Sequence, residues 1–312
     1  MKYRNELPQL GDKVFLTDGG LETTLVFLEN IELPLFAAFD QLSIDEGRER
    51  LNRYFEDYIA LAAKHDRGFV LESVTWRASQ DWGDRLGYNP IELSDINREA
   101  INMLAALRDQ YETQETPLVI SGCVGPRGDG YVADNRMSVI EARDYHAPQI
   151  NTFADSPADM VSAMTINYVE EAIGITLAAK NANIPVVISF TTETDGRIPS
   201  GETLQDAITR VDQETNNGPV YYMINCAHPD HFREQLIPGA AWANRIRAIR
   251  ANASRKSHAE LDESETLDRG NPHEFGQLYR ELRESFPQLT VLGGCCGTDK
   301  EHIESVHQHC CD

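Results

Sequence analysis

The chain has 312 residues, 41% hydrophobic and 25% charged, which excludes a mostly disordered protein and leaves room for one large barrel or two ordinary domains. Asp plus Glu number 50 against 28 Lys plus Arg, a formal charge of -22, and so acidic a surface repels phosphate backbones and anionic lipid, excluding nucleic acid and membranes as partners. Residues 1–13 carry charge throughout with no apolar signal core, and no run approaches the ~18 apolar residues of a membrane span, so the expected location is the cytoplasm.

In chain order, a first strand is expected over residues 14–17, ending in Asp18-Gly19-Gly20, and a helix near residues 50–64. A second strand follows over 68–76, a helix over 94–109, and strands over 117–124 and 159–166. The clearest helix covers 169–181, where Ala172, Ile173, Ile175, Thr176 and Ala179 recur at helical intervals and Asn167 is placed to cap the start. Strands over 185–191, 220–225, 245–252 and 289–293 then alternate with helices over 204–213, 272–286 and 300–308. Eight strands mostly alternating with helices predict a single (β/α)8 TIM barrel, class α/β, spanning 1–312, with a doubly wound open sheet as the alternative. Long loops after strands one, three (125–134), five (193–201) and seven (254–271) would all lie at the C-terminal mouth, where such barrels carry their sites.

Of six cysteines, Cys226 ends the sixth strand and Cys295 and Cys296 end the eighth, so both groups face one mouth. Loop geometry must close roughly 10 Å of strand spacing, and the glycines of Gly293-Gly294-Cys295-Cys296-Gly297 allow it. Three thiolates can bind zinc and leave a fourth position open for a substrate thiol, which would lose its proton there. Spacing alone leaves open whether these are ligands or buried cysteines at strand ends, and leaves His228 and His231 as further candidate ligands. Cys123 reads as a small buried residue, and Cys310 and Cys311 lie in a terminal tail that could bind stray metal.

Residues 16–23 (Leu-Thr-Asp-Gly-Gly-Leu-Glu-Thr), Asn225-Cys226 and Gly293-Gly294-Cys295-Cys296-Gly297-Thr298 resemble the homocysteine S-methyltransferase family. Thr75-Trp76-Arg77-Ala78-Ser79, Gly125-Pro126 with Gly128-Asp129, and Ser189-Phe190-Thr191 leading to Asp195-Gly196 continue the resemblance in order over nearly the whole chain. It implies an enzyme that methylates the thiol of homocysteine at a zinc held by Cys226, Cys295 and Cys296, forming methionine. Asp18 and Gly19 would hold the amino-acid part of the substrate, and Thr75 and Asn225 would line the pocket or support the zinc site.

One position departs from the family: Met164 stands where the fourth strand usually ends with a glutamate that contacts the substrate ammonium. A thioether cannot ionise, so either another acid such as Glu72 or Glu193 takes over, or the acceptor is a different thiol. With no folate or cobalamin domain and no long C-terminal extension, a small sulfonium donor is favoured over betaine. S-methylmethionine or S-adenosylmethionine leads, with dimethylsulfoniopropionate-type donors also open. The implied partners are a small-molecule thiol and a methyl donor, with homo-oligomerisation left open. Two rival classes stand beside this reading. One is a zinc hydrolase, for which no His-Glu-x-x-His pattern is present, and the other is a zinc- or thiol-binding barrel without turnover.

Overall fold

A computed structural model describes residues 1–311 as a closed barrel of eight parallel strands, each hydrogen-bonded to its neighbours in chain order. The strands are β1 (Phe15–Leu16), β2 (Gly68–Glu72), β3 (Leu118–Val124), β4 (Met160–Ile166), β5 (Val186–Phe190), β6 (Tyr221–Asn225), β7 (Ile246–Ala251) and β8 (Val291–Gly294). The barrel closes where Phe15 and Leu16 pair with Val291 and Leu292. The open-sheet alternative is thereby excluded.

Strand alternation separates two apolar layers. Phe69, Leu71, Ile120, Ile188, Tyr222 and Ile249 pack outward with the helices, whereas Val70, Val119, Val187, Met223 and Ala248 pack in a second, inner cluster. Continuing the two-residue period, Glu72, Ser121, Ser162, Ser189, Asn225 and Arg250 are buried one step nearer the mouth. The interior is thus apolar low in the barrel and polar at the top, which prepares the C-terminal mouth for a ligand.

The principal helices cover Asp45–Lys64, Pro90–Tyr111, Val139–Ala154, Val169–Asn181, Leu204–Thr215, Pro272–Ser285 and Lys300–Cys311. Several start at caps written in the sequence. Asn89 accepts from the Ile91 and Glu92 amides with Pro90 in the first turn, and Ser138 and Glu141 form a reciprocal capping box. The helix Val139–Ala154 is not anticipated by periodicity. Pro148 interrupts its pattern, yet its helix packs extensively on Val169–Asn181. Asn167 does not cap the next helix. Tyr168 holds the N-cap position, and the Asn167 amide donates instead to the carbonyl of Asp129. β2 stops at Glu72, short of the expected 76, because a turn follows in which the Ala78 amide bonds the Thr75 carbonyl. Among the described residues, no helix is long and apolar enough to cross a membrane.

Candidate active site

The loops above the strand ends enclose a cavity of about 430 Å³. Cys226, Cys295 and Cys296 lie in its wall, and their sulfurs fall within 4.8 Å of one another. They form the only such group of three potential ligands among the described residues. The Cα atoms of Cys226 and Cys295 are 5.4 Å apart and their sulfurs are joined as a disulfide, while the Cys226 and Cys296 sulfurs lie 3.7 Å apart.

Local backbone chemistry explains the convergence. Cys226 turns off β6 with φ of 53°, a left-handed conformation unusual for a residue with a Cβ. Its carbonyl is held there by three side chains: Asn252 Nδ2 at 3.0 Å, Thr191 Oγ1 at 3.3 Å and His258 Nε2 at 2.6 Å. On the β8 side, the Cys295 amide bonds the Ala251 carbonyl and the Cys296 carbonyl accepts from Ala253. A Cβ at Gly294 would collide with the Thr298 side chain, so glycine is needed for this close approach.

The donor set fits a tetrahedral zinc with one open position once the sulfurs are free thiols. At a Zn–S distance of about 2.3 Å, sulfur ligands stand about 3.8 Å apart, close to the Cys226–Cys296 separation of 3.7 Å. Burial pushes the Cys296 thiol up to about 12, so an adjacent cation is what would make it a thiolate. His228 and His231 do not join the group. His228 Nδ1 accepts from the Asp230 amide, and burial lowers His228 to about 4; His231 Nε2 meets the Arg255 carbonyl. Cys310 and Cys311 lie on the last helix, outside this cluster.

Asp18 is buried in the cavity wall, with Oδ1 2.7 Å from Arg250 Nη2 and Oδ2 accepting from Tyr54 Oη at 3.0 Å. Gly19 is pressed between Tyr58 and the Thr298 carbonyl, where a Cβ would approach to 2.8 and 2.7 Å. Asn225, below the sulfurs, bonds Thr165, Ser189 and, at 3.9 Å, the Cys295 sulfur. Met164 and Cys123 line the cavity. Thr75 does not: its hydroxyl donates to the Cys123 carbonyl at 2.8 Å, because the turn after β2 points it into the wall. Of the two candidate substitute acids, Glu72 lines the cavity, whereas Glu193 stands outside it, 3.3 Å from His258 Nδ1.

Several wall residues escape a reading of motifs. Tyr131, in the loop after β3, lies over the cysteines with Oη 3.5 Å from Cys226 Sγ, and its ring packs 4.0 Å from that of His258. Glu22 is half-buried in the wall and pushed up to about 7 by desolvation. Arg250 sits at an inward position of β7, and a buried arginine at such a position is a signal that alternation could have found.

The homocysteine S-methyltransferase family model matches residues 15–310. Homocysteine S-methyltransferase 1 of Brassica oleracea var. italica is 21% identical, covering 93% of this chain and 91% of its own, and that of Arabidopsis thaliana is 20% identical over the same shares. The homocysteine methyltransferase MmuM from Escherichia coli shares the fold. Its oxidized form superposes with a TM-score of 0.73 at 18% identity, covering 97% of each chain, and its metallated form with 0.72, covering 95% of this chain and 96% of its own. With the family's match running from β1 into the last helix, the chain belongs to the homocysteine S-methyltransferase family.

Proposed function

We propose that the protein transfers a methyl group from a small sulfonium donor to the thiol of homocysteine, forming methionine, with Cys226, Cys295 and Cys296 holding a zinc ion. The observation that carries this reading is the convergence of three sulfurs from β6 and β8 beside the buried Asp18 in one cavity. A bound zinc would take the acceptor sulfur in its fourth position and keep it deprotonated near neutral pH. The acceptor sulfur then attacks the methyl carbon. The new S–CH3 bond forms as the donor's S–CH3 bond breaks, and the donor leaves as a neutral thioether.

The chain's own residues prepare this step. Asn225 fixes the strand end behind Cys295, while Asp18 and Gly19 shape the wall that receives the amino-acid part. Trp76, Tyr131, Phe27 and Phe36 present aromatic surface to the cavity, and Glu22, Asp129 and Asp262 supply carboxylates. Aromatic faces with carboxylates attract a cation, which favours S-methylmethionine or S-adenosylmethionine as donor. Reduced thiols are what the cytoplasm maintains, and that location fits this chemistry.

The test is a mass-spectrometric assay of reduced, zinc-loaded protein with homocysteine and S-methylmethionine, S-adenosylmethionine or betaine in separate reactions. Methionine formed from a sulfonium donor and lost in Cys226→Ala supports the proposal. Methionine from betaine alone refutes the donor assignment. Zinc and thiol binding without product from any donor identifies a barrel that binds but does not turn over.

A further inference from the structure

Arg250 and Glu72 face each other near the floor of the cavity from β7 and β2. Both side chains are more than nine-tenths buried. Arg250 is anchored on one side: Nη2 bonds Asp18 Oδ1 at 2.7 Å, and Nε donates to the Gly294 carbonyl at 3.1 Å. Its remaining nitrogen, Nη1, has no hydrogen-bond partner and stands 4.0 Å from Glu72 Oε2. Glu72 Oε1 is likewise without a partner. Buried, charged hydrogen-bonding groups left open in this way are rare in folded proteins and mark a place where a partner belongs. A partner offering an acceptor to Arg250 and a donor to Glu72 would satisfy both atoms, and the carboxylate and ammonium of an amino-acid head supply that pair in charged form.

Asp18 cannot supply the cation's counterpart unaided. Arg250 occupies one of its oxygens and Tyr54 the other. Met164 offers no charge. We propose that Arg250 and Glu72 together read the zwitterionic head of the thiol acceptor, Arg250 Nη1 donating to its carboxylate and Glu72 Oε1 accepting from its ammonium. This inference rests on the reading of the site as one for an amino-acid thiol, and it makes both residues specificity determinants. A thiol with only a carboxylate leaves Glu72 unpaired in the wall. A thiol with only an amine leaves the Arg250 nitrogen unpaired. Each is disfavoured by the same desolvation that leaves the empty pair open.

The experiment compares three thiols on the reduced, zinc-loaded protein: homocysteine, 4-mercaptobutyrate (no ammonium) and 3-mercaptopropylamine (no carboxylate). Binding is measured by calorimetry without donor, and methyl transfer separately. The wild type is expected to prefer homocysteine at least tenfold over either analogue. Glu72→Gln should lose the preference over 4-mercaptobutyrate and keep that over the amine. Arg250→Gln should do the reverse, with Arg250→Lys partly restoring it. Should either arginine variant fail to fold, the wild-type comparison and the near-isosteric Glu72→Gln still decide. A wild type that binds 4-mercaptobutyrate as tightly as homocysteine, or a Glu72→Gln protein with unchanged discrimination, overturns the proposal. The two readings fail separately. Selective binding without methyl transfer supports the recognition pair and removes the activity, whereas methionine formation with unchanged discrimination in the variants removes the pair alone.

Discussion

Asn225 holds Thr165 in a left-handed backbone conformation. Thr165 has φ of 60°, where a β-branched residue costs roughly 1–3 kcal/mol, and the Asn225 side chain offsets that cost at both ends. Its Oδ1 accepts from the Thr165 amide and its Nδ2 donates to Thr165 Oγ1, each at 2.8 Å, while the same Nδ2 faces the Cys295 sulfur. The register between β4 and β5 shifts across this residue, so the flip sets how β4 ends beside Met164. Asn225→Ala should therefore loosen β4 and the metal site together. We expect zinc affinity to fall about 10–100-fold, the range typical of residues that support metal ligands, with a loss of stability of about 2 kcal/mol. Competitive chelator titration and urea unfolding measure the two, and unchanged zinc affinity would show that Asn225 serves only the strand.

The cysteine cluster yields a prediction about metal removal. A chelator applied under reducing conditions should abolish methyl transfer, and zinc should restore it. Cys226→Ala, Cys295→Ala and Cys296→Ala should each reduce bound zinc well below one per chain, because each would remove one of the three sulfurs proposed as donors. A variant that retained full zinc and full activity would remove that cysteine from the ligand set.

Much of this architecture was legible in the chain. All eight strands overlap the runs expected from their apolar content, because parallel strands buried on both sides are mostly apolar. The three sulfurs were visible from strand-end position and flanking glycines. What escaped depends on side chains that answer one another across the barrel. Nothing local to Asp18 says that Arg250, 232 positions away, occupies it. Nothing local to Thr75 says that its hydroxyl turns to the Cys123 carbonyl rather than the cavity. The helix Val139–Ala154 was hidden by Pro148 and is stabilised by packing on its neighbour.

Met164 lies in the cavity wall, so a carboxylate introduced there would face the same ligand. Met164→Glu should tighten homocysteine by roughly tenfold, equivalent to about 1.4 kcal/mol, by adding a charged partner for its ammonium. The same change should rescue homocysteine binding in Glu72→Gln, because the lost acid is replaced from β4, two strands along the barrel. Calorimetry on the single and double variants tests both. Weaker binding in Met164→Glu, with the fold intact by circular dichroism, would mean that the ammonium does not approach β4.

Tyr131 joins the loop after β3 to the site through its contacts with Cys226 and His258. If its ring is part of the surface that receives the sulfonium, Tyr131→Leu should raise the donor KM by about tenfold while leaving homocysteine affinity within about twofold. Tyr131→Phe, which keeps the ring, should stay near wild type for the donor. Equal losses in Tyr131→Leu for donor and acceptor would instead point to a role in closing the loop.

Glu72 also predicts how stability depends on pH. Burial pushes its carboxyl up from the ordinary 4.5 to about 7, against the opposing pull of Arg250. Between those values the folded protein holds a proton that the unfolded chain has released, so stability falls as pH rises through this window. Glu72→Gln removes the ionisation. Its stability relative to wild type should therefore improve from pH 5 to pH 8, by on the order of 3 kcal/mol at most. Glu22, displaced in the same direction, is present in both proteins and largely cancels in the comparison. Urea unfolding of both proteins at several pH values supplies the measurement. A difference that stays flat would mean that Glu72 ionises normally in the folded barrel. Homocysteine should narrow the gap at pH 8, because an ammonium beside Glu72 stabilises the charged form that burial disfavours.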